Sequence, residues 1–283
     1  MKGGPPEAFT LSWHKKSADS FALVLRRMAD RAHVLAGHPR LPLENSVHEL
    51  RLLIKRTRAL LWFAQPALPG AFITRAKQQL RRGAQQLAGR RDLRAADTTL
   101  RKIFETAAPG AAREAVAKAR LALTQRKDQS RRDPKVALAK AAELIGATLH
   151  KFADAVEHTS TWPSASGRTE KAFRLMRRSE KKARQTKDDA DFHAWRKKAK
   201  RLLFLLEMRD NDRSVRERRF LEHIDRLQAI LGEDHDCRVA AEKVVAILRD
   251  RKEARVVTKL LGRQQDRLRR KTRKLTVHLK REA

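Results

Sequence analysis

The chain has 283 residues, 41% of them hydrophobic, and sets 66 Lys and Arg against 33 Asp and Glu, for a formal charge of +33 and a pI near 11.4. That length fills one large domain or two ordinary ones, and so basic a composition points to nucleic acid, anionic lipid or another polyanion as partner. The single cysteine, Cys237, excludes an intramolecular disulfide, and no apolar run approaches the ~20 residues of a membrane span, so a soluble cytoplasmic protein is expected.

Met1–Lys16 contains Pro5 and Pro6, has too short an apolar stretch for a signal peptide and reads as a flexible N-terminal tail. From there Ala, Leu, Arg, Lys, Glu and Gln dominate, and no alternating β-branched run suggests a strand. The pattern predicts helices over 17–36, 43–64, 70–88, 91–105, 110–127, 134–158, 168–187, 189–209, 213–231, 234–250 and 253–280. Gly37, Pro39 and Pro42 separate the first two, and Pro66, Pro69 and Gly70 end the second. Asp133 followed by Pro134 reads as an N-cap with proline at the first helical position. The stretch from His158 to Gly167 has no periodicity. Residues 159–167 are therefore expected to be a linker between a first half, 17–158, and a second, 168–283.

These halves are related. His48-Glu-Leu-Arg51-Leu-Leu-Ile-Lys55-Arg56 recurs as His193-Ala-Trp-Arg196-Lys-Lys-Ala-Lys200-Arg201, both in the frame H-x-x-R-x-x-x-K-R. Further on, Leu87-Ala-Gly89-Arg-Arg-Asp92 corresponds to Leu231-Gly232-Glu-Asp-His-Asp236. There a glycine would close one helix and an aspartate open the next; alternatively Asp92 and Asp236 orient a histidine or arginine of the basic face.

Both copies hold their basic residues at one angle to the core. Phe192, Trp195, Ala199, Leu202 and Leu206 form an apolar stripe, as do Val47, Leu50, Ile54 and Leu61. His193, Arg196 and Lys200, and His48, Arg51, Lys55 and Arg58, each stand one residue on, about 100° around the helix. Four cations beside a core repel one another unless an anion sits among them, which favours a binding surface over a solvated face. The helix at 168–187 adds nine basic residues, among them Arg168, Arg174, Arg177, Arg178, Lys181 and Arg184, against Glu170 and Glu180 alone. Its counterpart at 17–36 carries Arg26, Arg27 and Arg31.

Other chemistries find little support. No H-x-x-x-H or C-x-x-C pair offers a metal site, although His235 lies between Asp234 and Asp236. No phosphate-binding glycine loop and no grouped carboxylates or activated nucleophile suggest an enzyme. Cys237, among acidic neighbours, reads as core filler.

The paired H-x-x-R-x-x-x-K-R motif, each copy followed by the Gly…Asp turn in an all-helical chain, resembles the CHAD family, the conserved histidine α-helical domain. The likeness is closest over Phe192–Leu202 and Leu227–Asp236 and covers about residues 17–280. It implies an all-α fold of two pseudo-symmetric four-helix-bundle halves around a basic groove or central channel. It also implies binding of inorganic polyphosphate, no cofactor, and for some members association with polyphosphate granules. With no E-x-E-x-K motif, the chain resembles a stand-alone member. Two departures from the family pattern are Leu203 where the first copy has Arg58, and the absence of tyrosine, with Phe173 and Phe204 standing in. On this reading Arg51, Lys55, Arg58, Arg196, Lys197, Lys200 and Arg201 form the inner polyphosphate track. His48 and His193 are pH-sensitive donors, and Arg174, Arg178 and Lys181 extend the track. Helical spacing sets donors roughly 5 Å apart along the axis, and Arg forks suit phosphate oxygens. The alternative is a non-specific nucleic-acid-binding protein. Low aromatic content and the lack of a base-stacking platform weigh against it, with DNA or RNA expected only as a side partner at low salt.

Overall fold

Ala, Leu, Arg, Lys and Glu lose little side-chain freedom in a helix, and among the described residues they build ten. These are α1 (Ser17–Gly37), α2 (Leu43–Ala64), α3 (Gly70–Gln86), α4 (Gly89–Thr106), α5 (Ala111–Lys127), α6 (Pro134–Glu157), α7 (Ala165–Thr186), α8 (Asp189–Glu207), α9 (Val215–Ile247) and α10 (Arg251–Glu282), with a short 3-10 turn at Gln65–Ala67. The computed structural model describes residues 17–37, 41–87, 89–127, 133–208 and 214–282; the tail Met1–Lys16, Pro39 and the side chain of Asp92 lie outside the described residues. No strand occurs among the described residues.

Local chemistry sets the helix ends. Asp133 caps α6, its carboxylate accepting from the Lys135 amide at 2.8 Å with Pro134 in the first turn. Ser214 and Glu217 form a reciprocal capping box at the start of α9: the Ser214 amide donates to Glu217 at 2.9 Å and the Glu217 amide to the Ser214 hydroxyl at 3.2 Å. Asp250 caps α10 through the Lys252 amide at 2.7 Å. Between α7 and α8 the chain reverses at Lys187, whose φ of 57° is the left-handed conformation that ends many helices.

Two expectations are corrected. The helices expected over 213–231 and 234–250 are one, α9, so Gly232 closes nothing and Asp236 opens nothing. Glycine costs a helix interior only about 1 kcal/mol, which the packing of a 33-residue helix outweighs. Gly232 instead lies against the Arg196 side chain: a Cβ there would stand 3.8 Å from Arg196 Nε. In the first copy a break does fall near Leu87, but Gly89 begins α4. The segment expected as a linker is partly helical, since α7 starts at Ala165.

Two compact units draw on both sides of that segment. Unit 1 comprises residues 1–87, 132–178 and 198–221, and unit 2 residues 88–131, 179–197 and 222–283. In unit 1, α6 packs against α1, α3 and α2. Small residues let the helices approach: a Cβ on Gly83 of α3 would lie 3.1 Å from Ile145 Cγ1 of α6. Its core is aromatic, with Phe21 at 5.7 Å from both Phe63 and Phe152 and 4.9 Å from Trp162, centroid to centroid. Such pairs add about 1 kcal/mol each to the burial of the rings. In unit 2, α5 packs on α4 and α10 around Leu100, Val116, Ala119, Val244, Val257 and Leu261, with Cys237 among them. Burial and nearby Asp234, Asp236 and Glu233 push the Cys237 thiol up to about 12, so it stays protonated as core filler.

Candidate functional site

The stripes expected on α2 and α8 are the buried faces. Leu50, Ile54 and Leu61 are buried on α2, as are Phe192, Trp195, Ala199 and Leu202 on α8, while Val47 and Leu206 are half-buried. The basic rows stand beside them. On α2, His48 and Arg58 are exposed and Arg51 and Lys55 half-buried; on α8, His193, Arg196, Lys200 and Arg201 are half-buried and Lys197 exposed. Leu203 is buried, so the second row ends at Lys200. Arg174, Arg178 and Lys181 are exposed on α7. In unit terms, His48, Arg51, Lys55, Arg58, Arg174, Arg178, Lys200 and Arg201 belong to unit 1 and Lys181, His193, Arg196 and Lys197 to unit 2.

Several of these cations already have partners. Arg51 Nη1 donates to the Leu87 carbonyl oxygen at 2.6 Å, at the C-terminal end of α3 where the helix dipole favours a cation. Arg58 Nη2 donates to the Leu80 carbonyl oxygen at 3.2 Å. Both arginines therefore tie α2 to α3. Arg174 lies 3.5 Å from Glu170, and Lys182 2.8 Å from Asp191. On α1, Arg26 reaches Asp154 at 2.9 Å and Glu157 at 2.8 Å, and Arg31 reaches Glu49 at 2.5 Å. The basic residues of α1 thus brace unit 1, each exposed pair contributing little to stability.

In unit 2 the turn between α7 and α8 is held by Arg269 of α10. Its Nε donates to Asp234 at 2.9 Å, its Nη1 to the Lys187 carbonyl oxygen at 3.2 Å and its Nη2 to Asp189, with the guanidinium 4.1 Å from the Phe192 ring. This hub positions the start of α8, and with it His193. That ring packs on His235 at 4.5 Å between centroids. An open pocket beside it is lined by His193, Lys197, Arg238, Asp188, Asp189 and Glu242 among others, so the surroundings are mixed in charge rather than uniformly basic. Burial, helped by Lys197, Arg196 and Arg238, pushes the His193 imidazolium down to about 4, and the ring is neutral near pH 7.

In unit 1, sequence reasoning missed a cluster around Trp62. Arg168 and Arg201 both lie over its ring, at 3.8 and 4.6 Å from the centroid. Arg56 is buried 3.5 Å from Glu207 and 6.0 Å from the Phe204 ring, and Lys200 Nζ is 5.9 Å from that ring. The sequence singled out Lys200, Arg201 and Phe204, and Arg56 as the end of the first motif, but nothing in it brought them to Trp62 and Glu207. Phe173, the other position that stands in for tyrosine, packs on Phe220 at 5.6 Å.

Among the described residues no group of three or more His, Cys, Asp and Glu is placed to hold a metal ion, and no helix is long and apolar enough to cross a membrane. Comparison with curated proteins gives no match. Among solved structures, the chain is similar to one described as the crystal structure of the CHAD domain from the plant Ricinus communis. The TM-score is 0.67 and the identity 17%, over 93% of this chain and 92% of that one, a likeness of fold. The model of the family described as CHAD domain matches residues 25–245. The chain belongs to the CHAD domain family.

Proposed function

We propose that this protein binds inorganic polyphosphate without catalysis, through the basic rows of its two related repeats. The observation that carries the reading is the placement of His48, Arg51 and Lys55 on α2, and of His193, Arg196 and Lys200 on α8, each one residue on from a buried stripe. Family membership supports the same reading, because the CHAD resemblance implies this ligand. Polyphosphate has about one negative charge per phosphate and no bases to read, so a receptor needs dense donors at several-ångström spacing, which helical rows of Arg and Lys supply. Within unit 1 the contacts are Arg51, Lys55, Arg58, Lys200 and Arg201, with Arg174 and Arg178 beyond them; within unit 2 they are Arg196 and Lys197, with Lys181 beyond them. Neutral His193 donates one N–H and gains a second when a polyanion offsets the cations around it. In the cell, association with polyphosphate granules is the matching localisation.

Reversing two charges of the second row, Arg196→Glu with Lys200→Glu, should weaken binding of long-chain polyphosphate on the order of 100-fold. Circular dichroism should show the helices intact. Undiminished affinity in a folded double variant would place the track elsewhere. Nucleic acid is the second reading, favoured by the charge of +33 alone.

A further inference from the structure

Unit 1 buries more positive charge than it pairs. Arg168 of α7 and Arg56 of α2 are only 8% and 6% exposed. Arg201 of α8 is half-buried. Among the described residues, Glu207 is the single carboxylate within ion-pair distance of any of the three, and it sits against Arg56. Arg168 donates through Nη2 to the Trp62 carbonyl oxygen, while its Nε is buried with no hydrogen-bond partner. Among the described residues Arg201 meets the Trp62 ring and no carboxylate at ion-pair distance. Burial pushes both guanidinium groups down from the ordinary arginine range, and Arg168 depresses Arg201 further. A ring face offsets only part of what desolvating a guanidinium costs. Two like charges share one indole with no carboxylate at ion-pair distance among the described residues.

We propose that Arg168 and Arg201, held on the Trp62 ring, form a site for a dianionic phosphate, the terminal group of a phosphate chain. This rests on the polyphosphate reading and names the part of the ligand that unit 1 takes. An internal phosphate of a chain has a single ionisable oxygen and one charge. A terminal phosphate has a second, ionising at a pKa near 6–7 as in phosphate monoesters. Two guanidinium groups without a carboxylate match a doubly charged group, whereas the basic rows need only one charge per donor. Trp62 is the positioning residue: its ring lies against both cations and its carbonyl oxygen accepts from Arg168 before any ligand arrives, and the half-buried edge of Arg201 is the entry.

The test compares linear tripolyphosphate, which has ends, with cyclic trimetaphosphate, which has none, at matched ionic strength on the full chain. Titrations are followed by calorimetry and by the indole N–H resonances, with Trp62 assigned by its loss in Trp62→Phe. The linear compound should bind at least about tenfold tighter and shift the Trp62 resonance, and Arg168→Gln or Arg201→Gln should bring the two affinities together. Equal affinities in the unaltered protein, or an unmoved Trp62 resonance at saturation, overturn the proposal. Should Arg168→Gln fail to fold by circular dichroism, Arg201→Gln, at a half-exposed position, decides the question. If long-chain polyphosphate does not bind while tripolyphosphate still moves Trp62, the function proposed above falls and this site stands. Long-chain binding with no linear preference sinks the terminal-phosphate site alone.

Discussion

His193 shows how a single side chain reports its surroundings. Its ring packs on His235, with Arg196 and Lys197 on its own helix, Arg238 and Glu242 on α9, Asp188 and Asp189 at the preceding turn and Gln265 on α10. Because its folded-state pKa of about 4 lies below the ordinary 6.5, the unfolded chain takes up a proton that the folded one refuses. The neutral ring's contribution is present above 6.5 and lost as pH falls through 4. Between about pH 7 and pH 5 this should cost about 1 kcal/mol after allowance for solvent screening. Denaturant unfolding of the protein and of His193→Gln at both pH values measures it, and equal losses in the two would exclude His193 as the source. A bound polyanion cancels the cations around the ring and raises its pKa. Affinity for long-chain polyphosphate, whose charge is nearly all on internal phosphates, should therefore rise as pH falls from 7 toward 5, and rise less in His193→Gln.

At the scale of elements, close helix approach makes glycines unequal. Gly83 faces Ile145 across the α3–α6 contact, whereas a Cβ on Gly262 of α10 meets nothing within 4 Å. Gly83→Val should destabilise by about 1–3 kcal/mol through overpacking, and Gly262→Ala should stabilise by about 0.5–1 kcal/mol through helix propensity; thermal or denaturant unfolding of each variant checks the pair, and opposite signs are the outcome that matters. The buried stripes of α2 and α8 were legible in the sequence because amphipathic period is a local property. So was the cap at Asp133, where Asp-Pro specifies the first turn by itself. The run of α9 through Gly232 was not legible, because a glycine that fits beneath Arg196 looks the same in sequence as one that ends a helix. Arg168 reads as one more of the nine basic residues around α7. Its burial depends on Trp62, 106 positions away, and no pattern along the chain encodes that contact. The mixed charge around His193 was hidden for the same reason, since α9 supplies Arg238 and Glu242.

For the whole molecule, a charge of +33 makes self-repulsion a standing cost of the folded state. Raising salt from about 20 to about 150 mM shortens the screening length from roughly 20 to about 8 Å, so the thermal midpoint should rise over that range, and a fall would show that exposed ion pairs such as Arg26 with Asp154 outweigh the repulsion. The same screening separates a phosphate-polymer receptor from a generic cationic surface. Attraction to either polymer weakens with salt as counterions compete, so on the proposed reading the preference that remains at higher salt comes from hydrogen bonds of the Arg and Lys rows to densely spaced phosphate oxygens. Competition of labelled long-chain polyphosphate against DNA, RNA and heparin at about 150 mM salt is the most direct test. The account predicts that none of the three displaces polyphosphate at equal charge concentration. Displacement by DNA or RNA under those conditions would contradict it and make nucleic acid the ligand.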